Sequence, residues 1–87
     1  MSVVKTTESS FSTPTDFYGY NITGVSKADL GHFNEALAYF SKAIEMDPDN
    51  FISYFNRASI KMRLGDIEGA RIDFKKSELL NSIDYYA

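Results

Sequence analysis

The chain has 87 residues, a formal net charge of −3 and an isoelectric point near 4.9, and it contains no cysteine. This length allows one small domain, the missing thiols exclude disulfide bridges and thiolate metal sites, and the acidic balance argues against nucleic-acid binding. Neither a secretory signal nor an apolar stretch approaching 18 residues is evident, so we expect no membrane span and a cytoplasmic location.

Residues 1–15 are dominated by serine and threonine. Val3, Val4 and Phe11 are the large apolar side chains of this stretch. They offer little hydrophobic stabilisation to offset the entropy lost on ordering it. We therefore predict a flexible N-terminal tail over residues 1–15, closed by the helix-incompatible pair Thr13-Pro14.

The rest of the chain repeats itself. A shift of 34 residues gives eight identities, whereas ordinary residue frequencies would give about two. The identical pairs are Phe17/Phe51, Tyr20/Tyr54, Lys27/Lys61, Leu30/Leu64, Gly31/Gly65, Ala36/Ala70, Phe40/Phe74 and Lys42/Lys76. Such a period indicates stacked supersecondary units. We predict a domain over 16–84 with repeats at 17–50 and 51–84, followed by a tail at 85–87.

Each repeat has the pattern of two helices joined by a glycine turn. In the first helix, aromatic and small residues recur at three- and four-residue spacing on one face: Phe17, Tyr20, Gly24 and Ala28. We expect Thr15 or Asp16 to cap its start and Gly31 to end it. Asn34 is predicted to cap the second helix, which ends at Asp47-Pro48. Its buried stripe is predicted to contain Ala36, Phe40, Ala43 and Ile44.

The second repeat copies this plan. Asn50 is expected to cap the third helix, and Gly65-Asp66 to form the turn. The residues predicted to face inward are Tyr54, Ala58 and Leu64 on the third helix, and Ile67, Ala70, Phe74 and Ser77 on the fourth. Small residues such as Gly24 and Ala58 allow neighbouring helices to approach closely.

The two units resemble the tetratricopeptide repeat (TPR) family. The positions that support the resemblance are Tyr20, Gly24, Ala36, Phe40 and Pro48 in the first repeat, and Tyr54, Ala58, Ala70 and Phe74 in the second. It implies an all-α fold of two tandem helix-turn-helix hairpins, four helices in total. The sequence departs from the family pattern at Thr23, Lys27, Arg57, Lys61 and Ser82.

The resemblance also implies a concave groove lined by the first helix of each repeat, where a peptide or helix of a partner protein binds. Carried over by spacing, the groove residues are Tyr18, Asn21, Val25, Ala28, Asp29, Ile52, Phe55, Ser59, Met62 and Arg63. This set is largely apolar and suits an apolar partner segment. Alternatively, Ile52, Phe55 and Met62 pack against one another, the tail or a second copy.

Other binding and catalytic chemistry is poorly supported. Asn56 matches one position of the TPR subfamily that binds chaperone C-terminal carboxylates, but the positively charged positions are missing. His32, the single histidine, is expected to be a solvated turn residue. Residues 47–50 lack the glycine and glutamate of a calcium loop. We therefore expect a non-catalytic protein with no cofactor and no metal site.

The end of the second repeat poses a problem of burial. About three repeats are usually required for stability. The last predicted helix ends near residue 81, and the six residues 82–87 are too few for a closing helix. The large apolar residues on the outward side are Ile60, Leu64, Ile72, Leu79 and Leu80. Either the chain is a segment of a longer TPR protein, or it self-associates, with a homodimer favoured. Ile83, Tyr85 and Tyr86 are predicted to join that interface.

Two classes of function therefore remain open. One is a protein-interaction module that binds a partner in its groove. The other is a structural self-assembly module whose apolar faces are covered by its own copies. Binding of RNA is disfavoured by Asp29 and by the acidic first repeat.

Overall fold

The computed structural model describes residues 16–86 and the side chains of residues 16–82. It contains four helices: α1 (Phe17–Asp29), α2 (Phe33–Met46), α3 (Phe51–Arg63) and α4 (Ile67–Tyr86). The predicted tail at 1–15 lies outside the described residues. Helices α1 and α2 form one hairpin, α3 and α4 form the next, and α2 packs on α3 to join them. The predicted all-α architecture is confirmed.

The helix ends follow from side-chain caps and glycine turns. The carboxylate of Asp16 accepts a hydrogen bond from the Gly19 amide, and the amide oxygen of Asn50 accepts one from Ser53 N. Gly31 and Gly65 follow the first helix of each hairpin with φ of 83° and 88°. Because only glycine takes this left-handed conformation without strain, both residues end their helices sharply.

The prediction that Asn34 caps the second helix is wrong. Helix α2 begins at Phe33, after His32, which makes no side-chain cap hydrogen bond. The His32 amide instead bonds back to the Lys27 carbonyl, so the last turn of α1 leads directly into α2. In the second hairpin, Asp66 stands at the position equivalent to His32, and its carboxylate accepts a hydrogen bond from Gly69 N.

Helix α4 is longer than its counterpart in the first hairpin. Pro48 follows the end of α2, whereas the equivalent residue, Ser82, lies inside α4. Serine retains the backbone N–H that a helix requires, so α4 continues to Tyr86. The helix therefore extends past 84, the predicted end of the second repeat.

The core lies between the hairpins and is built from rings packed against small residues. Phe40 is 1% exposed, and a Cβ atom added to Gly24 would lie closer than 3.0 Å to three atoms of its ring. Glycine at position 24 is therefore required by the close approach of α1 and α2. Ala36, Ala43, Ala58 and Ala70 are fully buried around the rings.

Two residues predicted to face inward do not. Leu64 and Ile67 flank the turn between α3 and α4, and both side chains are exposed. They lie at the edge of the hairpin, where no other element among the described residues covers them.

Candidate protein-binding surfaces

A buried polar network fixes the position of α1 relative to α3. Asn21 is 8% exposed, and its Nδ2 donates a hydrogen bond of 2.7 Å to Ser53 Oγ. Its Oδ1 accepts a bond of 3.3 Å from Asn56 Nδ2. Asn21, predicted to line the groove, thus contributes to its floor, and its side chain already has two partners within the chain.

Above this network lies a cleft of ≈ 490 Å³ between α1 and α3, which we call the groove. It is lined by three of the predicted groove residues: Tyr18, which is 69% exposed, Val25 and Ile52. None of its lining side chains is charged. The complete lining is Phe17, Tyr18, Asn21, Ile22, Val25, Ser26, Asn50, Ile52 and Asn56. An apolar surface over polar, uncharged amides suits an uncharged apolar ligand segment.

The remaining predicted groove residues lie elsewhere. Asp29, Met62 and Arg63 are exposed beyond the C-terminal end of the groove, and Ala28 packs against the core. The Arg63 guanidinium lies over the Phe33 ring at 5.0 Å, so its role here is a contact between hairpins.

Two further predicted groove residues also fall outside it. The Ser59 hydroxyl bonds to the backbone oxygen of Phe55 in the preceding turn of α3. Phe55 itself, 52% exposed, points away from α1 towards the outer end of the second hairpin.

The family spacing missed Ile22, which is exposed in the groove beside Tyr18 and Val25. These residues are four and three positions from it, which is the spacing of one helix face. This helix periodicity was sufficient to predict that Ile22 shares a face with Tyr18 and Val25. The inclusion of Ser26, Asn50 and Asn56 depends on how α3 crosses α1, which helix periodicity alone does not specify.

A second cleft, of ≈ 1020 Å³, lies on the outer side of α3 and α4, and we call it the end cleft. Phe55 and Phe74 form an edge-to-face pair at its base, with ring centroids 5.5 Å apart. The lining is Phe51, Ile52, Phe55, Arg71, Ile72, Phe74, Lys75, Ser77, Glu78 and Asn81. Unlike the groove, the end cleft combines an apolar base with charged sides. Ile52 lies on the ridge between the two.

The residues predicted for self-association do not form one surface. Ile72 lines the end cleft, and Leu79 is exposed on α4, with Leu80 half-buried beside it. Leu64 lies apart, at the turn. Ile60 was assigned to this surface wrongly, because it is 6% exposed and belongs to the core with Ala36 and Phe40. The side chains of Ile83, Tyr85 and Tyr86 are outside the described part of the molecule.

Two departures from the family pattern are explained by one carboxylate. Arg57 donates from Nε and Nη2 to the two oxygens of Asp73 at 2.7 and 3.0 Å, and Lys61 Nζ lies 3.0 Å from Asp73 Oδ2. Arg57 Nη1 also reaches Ser41 Oγ at 3.1 Å. The network therefore joins α2, α3 and α4 through side chains that the family pattern would replace by apolar ones.

The charges of this network alter its pKa values. Burial of Asp73 acts to raise its pKa, but the hydrogen bonds and positive charges of Arg57 and Lys61 outweigh burial, so the pKa of Asp73 lies below its usual value. The hydrogen bond to Asp73 raises the pKa of Arg57. The carboxylate, 4% exposed, is thus ionised at neutral pH and fully bonded.

Among the described residues we find no arrangement of side chains typical of a catalytic or metal site. His32 is exposed, as predicted, and its Nδ1 lies 3.9 Å from a carboxylate oxygen of Glu35. Within the described part of the chain, His, Asp and Glu side chains form no group of three that could hold a metal ion. No helix there is both long and apolar enough to cross a membrane.

Two models of the tetratricopeptide repeat match the sequence, at residues 17–50 and 39–72. The chain belongs to the tetratricopeptide repeat family. Membership explains the paired hairpins and supports a protein–protein interaction module, and TPR repeats are generally non-catalytic.

Several curated proteins contain a similar TPR segment. The chain is 46% identical over 65 residues to the tetratricopeptide repeat and J domain-containing co-chaperone DNJ1 of Fusarium oxysporum, a match covering 72% of this chain and 12% of that protein. It is 41% identical over 58 residues to the tetratricopeptide repeat protein 36 homolog of Nematostella vectensis, covering 67% of this chain and 32% of that protein.

A third relative is an enzyme. The chain is 40% identical over 58 residues to the UDP-N-acetylglucosamine--peptide N-acetylglucosaminyltransferase of Giardia intestinalis, but it spans 4% of that protein. The TPR segment therefore spans only a minor part of each of these relatives. No solved structure matches the chain.

Proposed function

We propose that the groove between α1 and α3 binds an uncharged, apolar segment of another protein, so that the chain acts as an adaptor. The main support is the lining of the groove. Tyr18, Ile22 and Val25 of α1 and Ile52 of α3 expose apolar surface along one cleft that no charged side chain lines. Covering such a surface with apolar groups lowers the free energy of the complex, and the surface has no charge to attract an ionic ligand.

The amides on the floor of the groove supply polarity without charge. Asn56 is half-buried and uses its Nδ2 to hold Asn21. Asn56 lines the groove, and its amide oxygen can accept a hydrogen bond from a peptide N–H. An extended apolar segment with one such backbone contact is the ligand that this arrangement fits best.

Selection from a displayed peptide library tests the proposal. Peptides enriched on the native chain are expected to be apolar and uncharged. Binding should fall at least about tenfold when Ile22 and Val25 are both changed to Ser, because two buried apolar contacts are lost. Leu30→Ser is the control, since Leu30 directly follows α1 and is 68% exposed but lines neither cleft.

Charged consensus peptides, or equal binding by the Ile22/Val25 variant and the native chain, would refute groove binding. Loss of binding in the Leu30→Ser variant would also count against it, because that residue does not contact the groove.

We also propose that the chain self-associates as a homodimer through the end cleft. The supporting observation is the exposure of Phe55, Ile72 and Leu79 at the outer end of the second hairpin. Sedimentation at several concentrations measures the association. A folded monomer at micromolar concentration would refute this proposal. The cytoplasmic location expected from composition stays a prediction.

A further inference from the structure

The internal repeat reveals what kind of element the end cleft is shaped to hold. In this molecule α3 covers the outer side of the first hairpin, and three of the side chains that contact it are Ser53, Arg57 and Ile60. They meet, in that order, Asn21, Ser41 and the cluster around Phe40. The surface under α3 therefore holds a helix by two side-chain hydrogen bonds and one apolar contact.

The end cleft is the same surface one repeat further along. A shift of 34 residues converts Asn21, Leu37, Phe40 and Ser41 into Phe55, Arg71, Phe74 and Lys75. All four of the shifted residues line the end cleft. A helix that lies parallel to α3 would thus fit this cleft as α3 fits the first hairpin.

The changed residues specify a different helix from α3. Phe55 in place of Asn21 favours an apolar residue where α3 has Ser53. Lys75 in place of Ser41 favours an acidic residue where α3 has Arg57. Phe74 keeps the aromatic character of Phe40, so the position of Ile60 remains apolar. The helix that fits has apolar residues at positions i and i+7 and an acidic residue at i+4.

The C-terminal residues carry this pattern in their sequence: Leu80 and Asp84 within α4 and Ala87 after Tyr86, with Ile83 as a further apolar residue at i+3. Residues 79–87 contain one acidic residue, Asp84, and no basic one, whereas Arg71, Lys75 and Glu78 give the end cleft a net charge of +1. The charges of the two surfaces are therefore complementary.

The geometry of α4 also suits this role. Ser77 Oγ donates to the Phe51 carbonyl at 2.9 Å, which aligns Ser77 with the start of α3. Residues 78–86 continue beyond α3 for about 13 Å, at about 1.5 Å per residue. We call residues 78–86 the α4 extension. A two-fold axis perpendicular to α4 makes the α4 helices of two copies antiparallel. Since α4 is antiparallel to α3, each extension then runs parallel to the other copy's α3.

We propose that two copies of the chain pair about a two-fold axis, with the α4 extension of each copy lying in the end cleft of the other. The arrangement rests on the proposed self-association and specifies its geometry. Each chain supplies one cleft and one extension, so the assembly closes at two copies. The register given by the 34-residue shift sets position 84 of one copy against Lys75 of the other.

A charge-reversal cycle tests the arrangement in the full chain. Lys75→Glu and Asp84→Lys should each weaken dimerisation at least about tenfold in sedimentation experiments, because each sets like charges in register. The combined variant should restore most of the loss. Lys76→Glu is the control: it makes the same charge change at the next residue of α4, outside the end cleft. Circular dichroism checks that every variant keeps its helices.

The other outcomes separate the competing explanations. A native chain that stays monomeric overturns both self-association and this geometry. A native dimer that neither reversal weakens overturns the geometry alone. Assemblies that grow beyond two copies indicate head-to-tail packing and also overturn it. The i, i+4, i+7 pattern also occurs in the serine- and threonine-rich segment 1–15, at Val4, Glu8 and Phe11. If Glu8→Lys weakens dimerisation and Asp84→Lys does not, residues 1–15 occupy the end cleft instead of the α4 extension.

Discussion

Replacement of Arg57 by methionine should strongly destabilise the fold. Methionine is similar in length and fills the space with an apolar chain, but it removes both hydrogen bonds to Asp73 and the one to Ser41. Oδ1 of Asp73, which is bonded by Arg57, then has no partner in a carboxylate that is 4% exposed. Removing one member of a buried ion pair costs about 3–5 kcal/mol.

Lys61 moderates that loss, because its ammonium still lies 3.0 Å from Oδ2 of Asp73. We therefore expect the free energy of unfolding to fall by about 2–4 kcal/mol. A domain of this size has a total stability of roughly 4–13 kcal/mol, so the fold should weaken visibly. The corresponding decrease in Tm is about 10–25 °C.

Urea and thermal unfolding followed by far-UV circular dichroism measure the effect. Lys42→Met is the matched control, because the Lys42–Glu45 pair is exposed and should contribute no more than about 0.5 kcal/mol. Adding Asp73→Leu to Arg57→Met should recover at least about 1 kcal/mol, since the unpaired carboxylate is then gone. If Arg57→Met costs no more than the control, or if the double variant is less stable than the single, the reasoning is wrong.

Three further predictions concern the same packing. In native protein the contribution of Asp73, whose pKa is lowered, persists above its unfolded pKa of about 3.9 and is lost as the pH falls through the folded value. In the Arg57→Met variant fewer positive charges oppose the effect of burial, so the pKa of Asp73 is higher than in the native protein. The difference in unfolding free energy between the native protein and the variant, measured in urea, should therefore shrink between pH 7 and about pH 4. A constant difference contradicts this. Gly24→Ala should lower the free energy of unfolding by about 1–3 kcal/mol through collision with the Phe40 ring, despite its better helix propensity, and a stabilised variant would exclude that collision. Asn21→Ala should cost about 1–2 kcal/mol by leaving the Ser53 hydroxyl without this donor, and hydrogen exchange should rise first in α1 if the network holds α1 against α3.

The departures from the family pattern illustrate where sequence reasoning stopped. Arg57 and Lys61 were evident as charged residues at positions the family fills with leucine and an aromatic ring. Their partner, Asp73, lies on another helix, and the equivalent residue of the first repeat is Tyr39. A charged residue at a core position is explained only when the carboxylate across the helix interface is seen.

What the sequence determined by itself was the fold. The 34-residue period, the glycines after α1 and α3 and the caps at Asp16 and Asn50 express short-range backbone and helix-face preferences, which act within a few residues. They were sufficient to place four helices in two hairpins and to put Tyr18, Val25 and Ile52 along one groove.

Only the tertiary structure decided how the surfaces divide. Packing across helices placed Asn21 against Ser53, 32 residues away, buried Ile60 in the core and turned Phe55 from the groove to the end cleft. Each of these outcomes depends on the crossing of two helices, which residue spacing along a single helix does not specify. Likewise, only the packing of α4 against α3 showed which residues of α4 extend beyond α3.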